Sequence, residues 1–450
     1  MKWTSFDKNC DQRDVCRRAT GPRLHLLLLL LGTFGNLNAE ESGTYLLRAK
    51  KIYPVASAPI ENGSVLVRDG LIMDVGTDIK APENARVLTI DGVLVPGFVD
   101  CGSTIGIHGR AAEEFFEMTP EMRVVDAIDL DHPDFRDALL SGVTTVAAGP
   151  GVRNVIGGLG VVLRTMPGSL ESAVLREDAF LSVCLTRAAT SGNRTLRWQR
   201  PNTIFHRQPT TRMGTIFLAR RAFFEALELS GLGDDVSRPL KGAGESSLAQ
   251  FLTTRGKASL RESIQTRTIR IRVDDKQEIV AALRVADEFK LSVVLEGCLE
   301  VTDLIPELVR RRVDVLITPG AHVSFPGDSD PDQVHDLARR LEAAGIRFGF
   351  ISTYGSWVPY LAELVAIDIR FGLSEERALK ALTLDAAAIL GIDDRVGSIE
   401  VGKDADMVAF GTDPFSNTSS VLWTMSSGKI WKDDTALSAH NIQPTGKTVK

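Results

Sequence analysis

Aromatic side chains are scarce in this chain of 450 residues, at 6% of the total. No long basic run follows the first 23 positions. Without a row of rings to stack on bases or a cationic track for phosphates, the sequence argues against a nucleic-acid partner. Cysteine is sparse too: five residues, none in CxxC spacing, which removes the zinc-ribbon and dithiol redox motifs. Long apolar runs are also missing. The longest, residues 24–31, is broken by His25 and falls well short of the roughly 20 residues of a membrane span, so no stable span is expected.

What stands before that short run is basic: Lys2, Lys8, Arg13, Arg17, Arg18 and Arg23. A charged stretch, an apolar core and small residues leading to Ala39 read as a secretory signal over residues 1–39, and place the chain outside the cell or in the periplasm. Cleavage there removes six basic and three acidic side chains, so the formal charge of −6 becomes −9. Cys101, Cys184 and Cys298 remain. An odd number means at least one free thiol, and Cys184 reads as a buried strand residue.

Beyond the signal, residues 45–55, 64–75 and 86–95 are rich in Val, Ile and Leu. Asn62-Gly63, Asp69-Gly70 and Asp91-Gly92 punctuate them as tight-turn signals, so antiparallel strands are expected. The same texture returns at 406–410 and 421–431, with Ser427-Gly428 as a turn. Neither end makes a stable sheet alone, so 40–96 and 397–435 are assigned to one composite β-sandwich domain, followed by a polar tail over 436–450. Between them β-runs alternate with helical stretches: 97–100, 143–148, 179–184, 268–273, 291–296, 313–318 and 346–352. Such alternation implies a parallel α/β core, and about 300 residues of it fit a (β/α)8 TIM-type barrel over 97–396, with eight parallel strands. Helices are expected over 276–290, 332–344 and 374–390, the last capped by Ser374 and stopped by Gly391. Residues 191–208 and 241–247 fit neither period and read as long loops.

Several ordered blocks carry a family resemblance. Val95-Pro-Gly-Phe-Val-Asp100, Gly142-Val-Thr-Thr-Val146, Ala378-Leu-Lys-Ala-Leu-Thr383 and Gly397-Ser-Ile-Glu-Val-Gly-Lys-Asp-Ala-Asp406 resemble the amidohydrolase superfamily. Asn154-Val-Ile-Gly-Gly158 and Thr211-Arg-Met-Gly214 further resemble its imidazolonepropionase-like and dipeptidase-like members. The resemblance implies hydrolysis of non-peptide carbon–nitrogen bonds by zinc or another divalent metal at the C-terminal strand ends of the barrel. It also implies that the ligand positions are substituted here. Gly102 and Thr104 stand where strand one carries His-x-His, Arg272-Val273-Asp274 stands where strand five carries His-Ala-His, Gly297 takes the histidine place on strand six, and Tyr354 replaces the strand-eight aspartate. Glycine offers no ligand and threonine a poor one. The bridging residue of strand four has no assignable place.

What remains at those strand ends is charged. Burial without a metal demands pairing, so Arg272 is expected to bridge to Asp274 or Glu296. His108 and His322 lie on loops over the expected barrel mouth, with Asn154 and Arg212 as further pocket candidates; His132, His206, His335 and His440 show no constellation. The resulting expectation is a catalytically degenerate amidohydrolase-like protein that binds no metal or cofactor. Its partners are an active amidohydrolase paralogue or a second copy of itself, with an unknown small molecule in the barrel mouth. The alternative is an active C–N bond hydrolase with a rebuilt site drawn from His108, His322, Asp274 and Glu296.

Overall fold

The structure, a computed structural model, describes residues 43–193, 207–228, 254–320, 336–416 and 418–432. The chain opens with four strands: β1 Tyr45–Ile52, β2 Ile60–Arg68, β3 Leu71–Gly76 and β4 Arg86–Pro96. Asp69 and Gly70 both take positive φ, 51° and 82°, and make the tight turn between β2 and β3 that their residue types predict. Asn62-Gly63 and Asp91-Gly92 do not turn. Both lie inside strands, and β1 runs parallel to β4, so the expectation of an all-antiparallel segment is corrected.

Eight strands then form one sheet in sequential order. They are β5 Phe98–Ser103, β6 Val143–Ala148, β7 Ile156–Arg164, β8 Val174–Cys184, β9 Thr268–Val273, β10 Val293–Gly297, β11 Asp314–Ile317 and β12 Phe348–Phe350. Helices α1 Pro133–Leu140, α2 Leu170–Ala173, α3 Arg212–Glu228, α4 Thr254–Thr266, α5 Lys276–Phe289, α6 Ile305–Arg311 and α7 Leu337–Ala343 fall between them. The sheet is a barrel with helices around it, but its strands are not all parallel. β7 runs antiparallel to both β6 and β8. Its glycines at 157, 158 and 160 blur the strand signal in the sequence, and a Cβ on Gly160 would overlap the Phe180 ring of β8.

The first and last strands meet at a seam closed by few bonds. Thr353 N donates to Gly102 O at 2.9 Å, and Ser352 bonds to the Asp100 carboxylate through both its N and its Oγ. After β12 come α8 Leu361–Arg370, α9 Glu375–Leu382 and α10 Leu384–Leu390. The single helix expected over 374–390 is two, broken at Thr383, whose φ of −132° and ψ of −93° are not helical; Ser374 and Gly391 cap the pair as expected. The chain closes with β13 Met407–Phe410, β14 Val421–Ser426 and β15 Lys429–Trp431. These join the opening strands in one sheet of order β15-β14-β13-β4-β1-β2-β3, through pairing of β13 with β4. Ile52, Val65, Leu94, Met407 and Met425 are buried in a core of their own.

Candidate site at the C-terminal strand ends

β9 reads Thr-Ile-Arg-Ile-Arg-Val, and a strand sends alternate side chains to opposite faces. Ile269, Ile271 and Val273 pack outward among the helices, so Arg270 and Arg272 point into the barrel. Glu296 of β10 joins them. Arg270 Nη2 lies 2.6 Å from Glu296 Oε2, and Arg272 Nη1 lies 3.3 Å from Glu296 Oε1. Arg272 Nε is also 3.4 Å from Asp274 Oδ1, so Arg272 contacts both carboxylates named for it.

Arg270 was not singled out from the sequence, yet it reaches furthest. Its Nη1 donates to Cys101 O of β5 at 2.7 Å, and its guanidinium lies over the Phe180 ring, 4.1 Å from the centroid. β5 and β9 are the first and fifth of eight strands, on opposite walls of the barrel. One buried arginine therefore spans the lumen. A Cβ on Gly102 would sit 2.6 Å from Arg270 Nη2 and 2.9 Å from Ile351 Cγ2. Gly297 is confined in the same manner. Its φ is +97°, and an added Cβ would meet Val273 O at 2.6 Å and the Asp274 carboxylate. Two positions that the resemblance assigns to histidine thus have no room for a side chain in this arrangement.

The charges balance. Burial alone would raise the pKa of Glu296, but Arg270 and Arg272 outweigh it and hold the carboxyl below its ordinary value. Asp274 has only Arg272 against the same burial, and its pKa is raised. Asp100 is buried as well. Its pKa is pushed up to about 6 by desolvation, against donors from Ser352 and Gly102. Its two oxygens are committed to the barrel seam. Ser352 was not picked out as its partner, because nothing in the sequence pairs positions 252 residues apart.

A divalent cation does not fit this set. Glu296 is saturated by two guanidiniums whose positive charge would repel it, and a metal needs three or four N, S or O donors in fixed geometry. Among the described residues, no three His, Cys, Asp or Glu side chains converge as ligands. The thiols offer no substitute nucleophile. Burial raises the pKa of Cys184 to about 11, and those of Cys101 and Cys298 rise further.

The other candidates disperse. Tyr354 is largely exposed, its ring 5.9 Å from that of Trp357, and Thr104 follows β5 half-buried. Asn154 is buried: its Nδ2 donates to Thr119 Oγ1 at 3.0 Å and its Oδ1 accepts from Arg207, which also donates to Phe116 O at 2.6 Å. This knot ties three loops together. Arg212 starts α3 and pairs with Asp275, the N-cap of α5. His108, on the loop after β5, has Nε2 2.6 Å from Asp129 Oδ2, and its ring centroid is 5.0 Å from that of His132. His206, His322, His335 and His440 lie outside the described residues. β8, the fourth strand of the barrel sheet, ends at Cys184.

The amidohydrolase family matches residues 261–431. The amidohydrolase tasK of Hapsidospora irregularis is 26% identical over 407 residues, covering 83% of this chain but 40% of that protein. An imidazolonepropionase from Symbiobacterium thermophilum is 25% identical over 384 residues, covering 79% of this chain and 85% of the relative. Among solved structures, an amidohydrolase from Thermotoga maritima MSB8 superposes with a TM-score of 0.73 at 25% identity, over 85% of this chain and 98% of that one.

Proposed function

Since this chain belongs to the amidohydrolase superfamily, we propose that it keeps the barrel as a binding scaffold and has lost metal-dependent hydrolysis. The observation that carries this reading is the Arg270 guanidinium. It bridges opposite walls of the barrel beside Gly102 and neutralises Glu296, a buried carboxylate at the strand ends. Hydrolysis at neutral pH needs a cation that lowers the pKa of water and a base that takes its proton. Here the first place is filled by arginine, and Tyr354, at the strand-eight position, supplies no carboxylate. What the barrel mouth would receive is a small molecule or a loop of an active paralogue. Assay against acyl-dipeptides and cyclic amides with zinc or manganese added should give no turnover above a metal-only control. Turnover lost on chelation and regained on metal return would overturn the reading.

A second reading, an active hydrolase with a rebuilt site, is favoured by one observation, the His108–Asp129 pair beside His132 at the C-terminal end of β5. Paired to a carboxylate, His108 would serve as a base. It predicts a turnover that His108→Ala abolishes. On sequence grounds alone, we also propose that residues 1–39 direct export, so that mature protein starts near Glu40. N-terminal sequencing from the native host would show this, and an intact Met1 would contradict it.

A further inference from the structure

α3 buries one face, with Leu218, Ala219, Ala222, Phe223 and Ala226 turned inward and Phe223 against Phe289 of α5. Its opposite face carries Met213, Phe217, Arg220, Phe224 and Leu227, at intervals of four, three, four and three residues. That is the seam spacing of two helices packed side by side. Met213 is 82% exposed, Phe217 60% and Phe224 56%, so the seam faces solvent along most of its length. A row of large apolar side chains on an outer helix marks an interaction surface.

The order of residues along this seam is nearly the same read in either direction from Arg220. We propose that a second copy of this chain docks there, α3 against α3 in antiparallel, across a two-fold axis near Arg220. Phe217 then meets the partner's Phe224, and Met213 meets the partner's Leu227, each contact occurring twice as an isologous interface requires. Charge at the helix ends does not oppose this direction, since Arg212 is paired with Asp275 and Glu225 with Arg221 and Lys257. The two arginines nearest the axis are already neutralised, Arg220 by Glu288 and Arg221 by Glu225, each at 2.7 Å. The exposed apolar part amounts to about 400 Å² per copy, taking ~150–250 Å² for a whole aromatic side chain. That is about half of the ~800 Å² each partner buries in a standard interface, and polar side chains around the seam would have to supply the remainder.

Sedimentation of the chain beginning at Glu40 tests this at micromolar concentration. A dimer is expected, and Phe217→Glu and Phe224→Glu should each give monomer whose thermal midpoint matches that of the parent diluted until it too is monomeric, since both side chains face outward. The Phe217→Cys/Phe224→Cys variant should form a covalent dimer on mild oxidation. A monomeric parent chain, or a dimer indifferent to both glutamates, would overturn the proposal. So would a Phe217→Glu monomer that melts below the diluted, monomeric parent, because the chain itself would then cover that face.

Discussion

Arg270 Nη2 lies 2.6 Å from the point where a Cβ on Gly102 would stand, although the two residues belong to opposite walls of the barrel. The smallest side chain at 102 and the longest cation at 270 are therefore two halves of one arrangement. Gly102→Ala should destabilise the protein by about 1–3 kcal/mol, the usual cost of overpacking. In an Arg270→Ala background that cost should fall, since the nearer obstacle is gone. A double-mutant cycle read by urea unfolding measures the coupling. Strictly additive costs would mean that the two residues do not compete for space.

The sequence made much of this barrel legible and left specific parts hidden. Alternation in Thr268-Ile-Arg-Ile-Arg-Val273 puts both arginines on one face, so Arg270 was readable with Arg272 by parity alone. That one of them crosses to Cys101 was not, because a cross-barrel contact depends on curvature that a linear pattern lacks. β7 escaped because three glycines replaced the β-branched residues by which strands are recognised. Asn62-Gly63 and Asp91-Gly92 look like turns, but they are local irregularities inside β2 and β4: Asn62 takes a φ of +49° beside the Gly63–Ala49 pair, and Asp91-Gly92 falls where the register of β4 against β1 shifts. The break at Thr383 is likewise tertiary, since the apolar positions on both sides keep a helical period. The composite sheet, by contrast, was written in the two β-rich ends.

Three carboxyls hidden from water set an expected pH dependence. Burial raises Asp100 to about 6, and Glu278 and Asp368 to about 7. A raised carboxyl favours the protonated folded state, so its contribution is complete below its ordinary value near pH 4 and is lost as pH rises through about 6 to 7. Glu296 works the other way, but its effect is already complete at higher pH than its ordinary value. Stability should therefore fall from pH 5 to pH 8. Asp368→Asn keeps an acceptor for Gly320 N, which Asp368 now binds at 2.9 Å, and should flatten the profile and stabilise the protein at pH 8. A urea midpoint that rises over this range contradicts the assignment.

Cys101, Cys184 and Cys298 are buried and unpaired, and desolvation disfavours all three thiolates. In the chain beginning at Glu40, a thiol reagent at neutral pH should find none of them within minutes and all three after unfolding. Prompt reaction of one thiol in the native protein would single it out as a nucleophile in an open pocket.

Metal content tests the central claim most directly. Protein purified from cells supplied with zinc, manganese and iron, and measured by elemental analysis per mole of chain, should hold well under one equivalent of any of them. It should also hold no more when Arg270→Ala is the only change, because Gly102 and Gly297 still contribute no donor. One tightly held equivalent in the unaltered chain, displaced by substitution of Glu296 or Asp274, would contradict the account, since those carboxylates would then be serving a cation in place of Arg270 and Arg272.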